Sequence, residues 1–186
     1  GGKALNGPQG TGVLAGRRDL VMAAALQHLD LDIFWEQWSP PATLIDKERL
    51  KGVPQHGIGR TCKVGKEQIV GLLTALELFV AEGDAARHQR WRGMMEVLAN
   101  GLQGVPGEVA LHGIGSDDEV PTVTLTLRHD SRLSALDLVI ALQNGSPPIH
   151  ADPLLCDRGI VAFNPMCLQP REAETVAASV RGLFPA

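Results

Sequence analysis

An α/β fold is predicted by three features of the sequence. Apolar residues recur at helical spacing from Ile69 to Val80 and again from Trp91 to Leu102; hydrophobic residues alternate with threonine between Pro121 and His129; and the segments beyond Gly107 follow one another as β-β-α-β-α. With 186 residues, 44% hydrophobic and 20% charged, the chain has the balance of an ordinary globular protein and can bury a core. A domain boundary is expected near residue 84, because everything beyond Gly107 can form one small two-layer α/β unit.

Residues 1–16 form a glycine-rich opening that ends in Thr11-Gly12-Val13-Leu14-Ala15-Gly16, an apolar run expected to be a buried strand. Asp19 can cap a helix reaching about His28, with Leu20, Ala23, Ala24 and Leu26 as its buried side. Leu31 to Gly59 shows neither helical nor strand period and carries Trp35, Trp38, Pro40, Pro41 and Pro54, so it reads as a long structured loop. The clearest helix begins after Val64, with Ile69, Leu72, Leu73, Leu76, Phe79 and Val80 on its apolar side. A second follows Asp84 with Trp91, Met94, Met95, Leu98 and Leu102 inward, and it stops at Gly104-Val105-Pro106-Gly107. Strands are predicted at Glu108–His112, Pro121–His129 and Arg158–Phe163. Helices are predicted over Ser134–Gln143 and from Pro170 onward, the last burying Ala173, Val176, Ala177 and Val180.

Composition narrows the function. A net charge of -4 supplies no basic face, so nucleic-acid binding by this segment is not expected. Three widely spaced cysteines, Cys62, Cys156 and Cys167, form neither a disulfide framework nor a zinc motif, which points to a reducing, cytoplasmic setting. No apolar run approaches the roughly 20 residues of a membrane span. The chain opens on Gly1-Gly2-Lys3 rather than on methionine or a signal sequence, so it is expected to start within a longer protein. The run Gly7-Pro8-Gln9-Gly10-Thr11-Gly12 lacks the Lys-Ser/Thr ending of a phosphate loop and leads into a predicted strand. The six histidines are scattered, and neither a metal motif nor a catalytic triad is readable.

Residues 1–19, GGKALNGPQGTGVLAGRRD, resemble the cofactor-lysine segment of the selenocysteine-synthase-like family of fold-type I enzymes that use pyridoxal 5'-phosphate (PLP). In that family a glycine-glycine-lysine loop precedes Gly-Pro-Gln and a strand ending in Gly-Arg-Arg/Lys-Asp. A second stretch, Gly57-Ile58-Gly59-Arg60 with Lys63-Val64-Gly65-Lys66-Glu67 and the helix after it, is similar to the family's segment following the active-site loop. The tail from Gly145-Ser146-Pro147-Pro148-Ile149 through Asn164-Pro165 is similar to its small domain. The resemblance spans essentially the whole chain. It implies the C-terminal part of a fold-type I, aspartate-aminotransferase-like enzyme: residues 1–84 end the large PLP-binding domain, and residues 85–186 are the small C-terminal α/β domain.

The resemblance also implies roles. Lys3 would bind PLP as an imine and, once displaced by substrate, move protons; without the motif, a lysine so near a chain end reads as a solvated tether. Gly1 and Gly2 permit a close backbone approach. Gln9 would lie near the cofactor phosphate of its own or a neighbouring subunit, where an amide donor is useful; otherwise it is a turn residue facing water. Arg60 suits a substrate carboxylate or phosphate, being planar and set beside a cation-rich helix start that the helix dipole disfavours; Lys63 and Lys66 read as solvated. Family members divide between a selenium transferase acting on seryl-tRNA and enzymes that eliminate ammonia from, or rearrange, small amino acids and amino-sugar acids. The acidic balance favours a small amino substrate and elimination of the ammonia-lyase type; a non-catalytic fragment or structural domain is the alternative from another class. Groups that stack on the ring, pair with its nitrogen and hold most of the phosphate are not among these residues, so the chain alone is expected to be inactive. The intact protein is expected to be about twice as long and a homodimer or higher homo-oligomer.

Overall fold

The computed structural model describes residues 1–116 and 119–184. The chain divides into two compact units, Gly1–Leu76 and Glu77–Ala186, with the division inside a helix. Among the described residues five α-helices and three strands follow in order: α1 (Arg18–Leu26), α2 (Lys66–Glu82), α3 (Asp84–Gly101), β1 (Gly107–His112), β2 (Thr122–Leu127), α4 (Ala135–Gln143), β3 (Ile160–Phe163) and α5 (Glu172–Gly182).

In the second unit the predicted β-β-α-β-α order is present, completed by α3. The sheet is antiparallel with order β1-β2-β3. Its register sets Val109 opposite Leu125 and Leu125 opposite Val161, and Leu111 opposite Val123 and Val123 opposite Phe163. Residues directly opposite share a face, so these form two apolar rows across the sheet, while Thr122, Thr124 and Thr126 point the other way. That is the alternation read from the sequence, converted by pairing into one buried face.

Helix α3 covers that face with Trp91, Met94, Met95 and Leu98, all buried at the spacing of successive turns. Full burial of Leu98 stabilises the unit by about 1.5–3 kcal/mol. Helix α5 packs beside it through Ala173, Val176, Ala177 and Val180. The approach is close: a Cβ on Gly101 would stand 2.5 Å from the Ala177 Cβ. Arg181 closes the contact by donating to the Gly101 carbonyl at 2.9 Å, satisfying one of the free carbonyls at the α3 terminus. Helix α4 starts at a capping box, in which the Asp137 amide donates to Ser134 Oγ at 3.1 Å and the Ser134 amide donates to the Asp137 carboxylate at 3.3 Å, with Ser134 Oγ donating to the same carboxylate at 2.7 Å. Those Ser134 hydrogen bonds hold the Asp137 carboxyl below the ordinary carboxylate range.

Between α2 and α3 the chain turns at Gly83, whose φ of +73° only glycine adopts freely. Arg87 is buried beneath this turn, 3% exposed. Its guanidinium lies 3.4 Å from the Phe79 ring centroid, donates to the Phe79 carbonyl at 2.9 Å and pairs with Asp84. Arg90 forms a two-point contact with Glu82 at 2.7 and 3.2 Å.

The first unit is looser, and two expectations fail in it. Thr11–Gly16 is not a strand but irregular chain, exposed beyond Thr11, with Val13 and Leu14 61% and 66% exposed. A strand exists only by pairing, and among the described residues no segment pairs with this one. Helix α1 buries Met22, and of the expected side Leu26 packs against the same cluster while Leu20 and Ala23 are exposed. Met22 packs with Trp38 and Ile45, which the 31–59 loop folds back over it. That loop contains two single 3-10 turns, Trp35–Gln37 and Lys47–Arg49. Lys47 pins it, donating to the Trp35 and Trp38 carbonyls at 2.7 and 2.6 Å with its ammonium 4.5 Å from the Trp35 ring centroid. The α2 helix forms as predicted, yet Ile69, Val70 and Leu73 are exposed, and Ala75 is its one buried residue.

Candidate active site

Lys3 opens a tight turn. The Asn6 amide donates to the Lys3 carbonyl at 2.7 Å, and the Gly7 amide donates to the Gly1 carbonyl at 2.9 Å, folding residues 1–7 back on themselves. A second set of contacts closes the loop. The Gly1 nitrogen donates to the Thr11 carbonyl at 2.8 Å, and the Thr11 hydroxyl donates to the Pro8 carbonyl at 2.5 Å. The loop then seats on α2: a Cβ on Gly71 would come within 2.7 Å of Pro8 Cγ, and one on Gly7 within 3.3 Å of the Ala75 Cβ. Glycine at position 71 is therefore what lets Pro8 lie against the helix. Gly71 is not among the residues singled out from the sequence, although an isolated glycine inside a helical pattern is the signal from which this contact could have been read.

The Lys3 side chain is exposed and makes no hydrogen bond or ion pair among the described residues. Gly2 and Gln9 are brought together. The Gln9 amide donates to the Gly2 carbonyl at 3.3 Å, and a Cβ on Gly2 would stand 2.6 Å from Gln9 Oε1 and 2.9 Å from Gln9 Cα. Because the Gln9 backbone also lies closer than a Cβ allows, rotation of the Gln9 side chain would not make room, and only glycine fits at position 2.

Arg60 is built into a separate turn. The Gly57 amide donates to the Leu29 carbonyl at 3.2 Å and the Gly59 amide to the Gln27 carbonyl at 2.8 Å, so this strip runs against the end of α1. A Cβ on Gly57 would overlap the Gln27 carbonyl oxygen and stand 2.6 Å from that of Leu29. The preceding residue, His56, has φ +53° and donates its amide to the Asp30 carboxylate at 3.0 Å. Arg60 follows as a half-buried residue whose amide donates to the Gly57 carbonyl at 3.0 Å. Its guanidinium makes no hydrogen bond or ion pair among the described residues, and none joins it to the Lys3 loop. A hollow of about 330 Å³ beside this turn is lined by Leu26, Gln27, Lys51, Pro54 and Gly57. Neither Lys3 nor Arg60 lines it. Lys63 and Lys66 are exposed. Among the described residues no group of three or more His, Cys, Asp or Glu is placed to hold a metal, and no helix is long and apolar enough to cross a membrane.

This chain is 27% identical over 190 residues to the D-glucosaminate-6-phosphate ammonia lyase of Salmonella typhimurium (strain 14028s / SGSC 2262), an alignment covering 97% of this chain and 41% of the relative. The chain is homologous to that enzyme. It spans less than half of the relative's length. A solved structure of D-glucosaminate-6-phosphate ammonia-lyase superposes with a TM-score of 0.53 at 20% identity, over 68% of this chain and 34% of that one. The fold is accordingly α/β, of the fold-type I kind, matched over part of that enzyme's length. No family model matches the sequence.

Proposed function

We propose that this chain is the C-terminal part of a PLP-dependent enzyme of the selenocysteine-synthase-like group that eliminates ammonia from an amino-sugar acid, with Lys3 as the cofactor lysine. The observation carrying the reading is the alignment to the ammonia lyase over nearly the whole chain. The Lys3 loop supports it, because an unpaired amine on a turn fixed by its own backbone hydrogen bonds suits a covalent tether. In this reading residues 1–84 end the large domain and residues 85–186 form the small one.

The residues present fit part of the cofactor's needs. Lys3 Nζ would hold it, and Gln9, kept against bare Gly2, would offer its remaining amide N–H and the neighbouring backbone to a phosphate. PLP, when bound, supplies an electron sink for the carbon next to the substrate nitrogen. Lys3 Nζ, freed by substrate, takes the proton from that carbon and returns one later in the reaction. Arg60 binds the substrate carboxylate or phosphate through two parallel hydrogen bonds, which its planar fork makes and a lysine does not. The remaining cofactor contacts belong to residues outside this chain. The substrate is a small molecule, the protein works in the cytoplasm, and a homodimer or higher homo-oligomer completes the site. The net charge of -4 weighs against seryl-tRNA as substrate.

Ammonia release tests the proposal. The intact protein with PLP should liberate ammonia from a 2-amino-2-deoxy sugar acid 6-phosphate, and Lys3→Ala should abolish it. No release from this substrate class, with selenium transfer to seryl-tRNA instead, would replace the reading by its relative.

A further inference from the structure

We infer that Asn6 is a positioning residue for Lys3, acting through its backbone rather than its side chain. This rests on the reading of Lys3 as the cofactor lysine. Asn6 has φ +53°, in the left-handed region that asparagine tolerates better than other side-chain-bearing residues and that β-branched residues avoid. Its amide donates to the Lys3 carbonyl at 2.7 Å, closing the turn that carries the amine, and its positive φ redirects the chain that follows. The Gly7 amide, the next one along, reaches the Gly1 carbonyl at 2.9 Å only because the chain has already reversed at Asn6. Two of the three residues preceding the turn interior, Gly1 and Lys3, are therefore fixed by what happens at position 6.

The side chain plays no part. Asn6 is exposed, and its carboxamide makes no hydrogen bond among the described residues. What position 6 requires is a residue that accepts positive φ, and beyond asparagine that residue is glycine. Downstream, Pro8 seated over Gly71 fixes the far arm of the loop, so the turn at Asn6 decides how the near arm, and with it the Lys3 stem, leaves α2. Left-handed backbone is costly for most residues and persists where the surrounding structure over-determines it.

Three variants of the intact protein separate this role from a general structural one: Asn6→Gly, Asn6→Val and Lys3→Ala. Each is titrated with PLP and followed by the near-visible absorbance of the bound cofactor, by the rate of borohydride fixation at residue 3, and by thermal unfolding. Asn6→Gly should keep PLP affinity within about twofold of the parent, and Asn6→Val should weaken it about tenfold, the scale of a left-handed backbone penalty. Fixation at Lys3 should slow in parallel, while the melting temperature moves little, since the loop contributes few buried contacts. Parent-like PLP affinity in both Asn6→Gly and Asn6→Val would overturn the inference about Asn6 and leave Lys3 standing. Loss in Asn6→Gly as large as in Asn6→Val would assign the effect to the carboxamide and overturn it too. Cofactor absorbance that survives Lys3→Ala would sink the reading of Lys3 itself, and the inference with it.

Discussion

Replacing Gly71 by alanine sets two effects against each other. Alanine in a helix interior is favoured over glycine by about 0.8–1.0 kcal/mol. At position 71 the new Cβ would stand 2.7 Å from Pro8 Cγ and 3.2 Å from Pro8 Cδ, where carbon atoms rest comfortably at about 3.5–4.0 Å. Pro8 must withdraw by about 1 Å. Its ring cannot rotate out of the way, and Pro8 is tied on both sides by the Thr11 hydroxyl and the Gly7–Gly1 bond, so the loop moves as a body. Overpacking of this kind costs about 1–3 kcal/mol when nothing yields. The loop can yield, so the strain is released by undocking, and the helix keeps its gain. Gly71→Ala in the intact protein should therefore leave the melting temperature unchanged or slightly raised while PLP affinity falls about tenfold, equivalent to ~1.4 kcal/mol. Gly93→Ala in α3, where a Cβ meets nothing within 4 Å, is the control: it should stabilise by about 1 kcal/mol with PLP affinity unchanged. PLP titration and thermal melts of both variants decide it. If Gly71→Ala behaves as Gly93→Ala does, the Lys3 loop is not seated on α2 and the geometry of the candidate site is wrong.

Three further outcomes are expected. Leu98→Ala empties a fully buried position against the sheet and should destabilise the second unit by about 2–5 kcal/mol in urea unfolding; a cost below 1 kcal/mol would contradict the packing of α3 on β2. Arg90 holds the Glu82 carboxyl below the ordinary carboxylate range, with burial opposing and the charges of Arg90 and Arg87 assisting. The folded pKa being depressed, this stabilisation is complete above the ordinary value of about 4.3 and disappears as pH falls through the lower folded value, so Arg90→Gln should destabilise at neutral pH and converge with the parent in acid. A constant difference from pH 7 to pH 2 would show that the pair does not act through its charge. Arg60→Lys should raise the substrate concentration needed for turnover and leave cofactor absorbance unaltered, because a point charge replaces a two-pronged one; unchanged kinetics would remove Arg60 from the site.

How far the sequence could be read depended on where each element finds its partners. In the second unit the threonine alternation of β2, the Trp91–Leu98 stripe and the small-residue face of α5 all bury against one another, so periodicity and burial agree. Thr11–Gly16 and α2 have equally apolar patterns, but Val13, Leu14, Ile69 and Leu73 lie exposed among the described residues. Periodicity reports which face a segment would bury, and burial itself needs a surface to bury against. Met22 belongs to the same case: its burial comes from Trp38 and Ile45, more than ten residues away in an aperiodic loop, and no local pattern announces that. In the candidate site, Lys3, Gly2 and Gln9 were legible only as a motif, since glycine and lysine carry no periodic signal. Asn6 was not legible, because a positive φ is a property of the closed turn and asparagine is common in turns of every kind.

The claim that Lys3 carries the cofactor is tested most directly by fixing PLP to the intact protein with borohydride and mapping the modified peptide. The account predicts one pyridoxyl group per chain, on Lys3, formed at cofactor concentrations too low to label exposed lysines such as Lys51, Lys63 and Lys66, and absent from Lys3→Ala. Labelling spread over those surface lysines, with Lys3 modified no faster than they are, would contradict it.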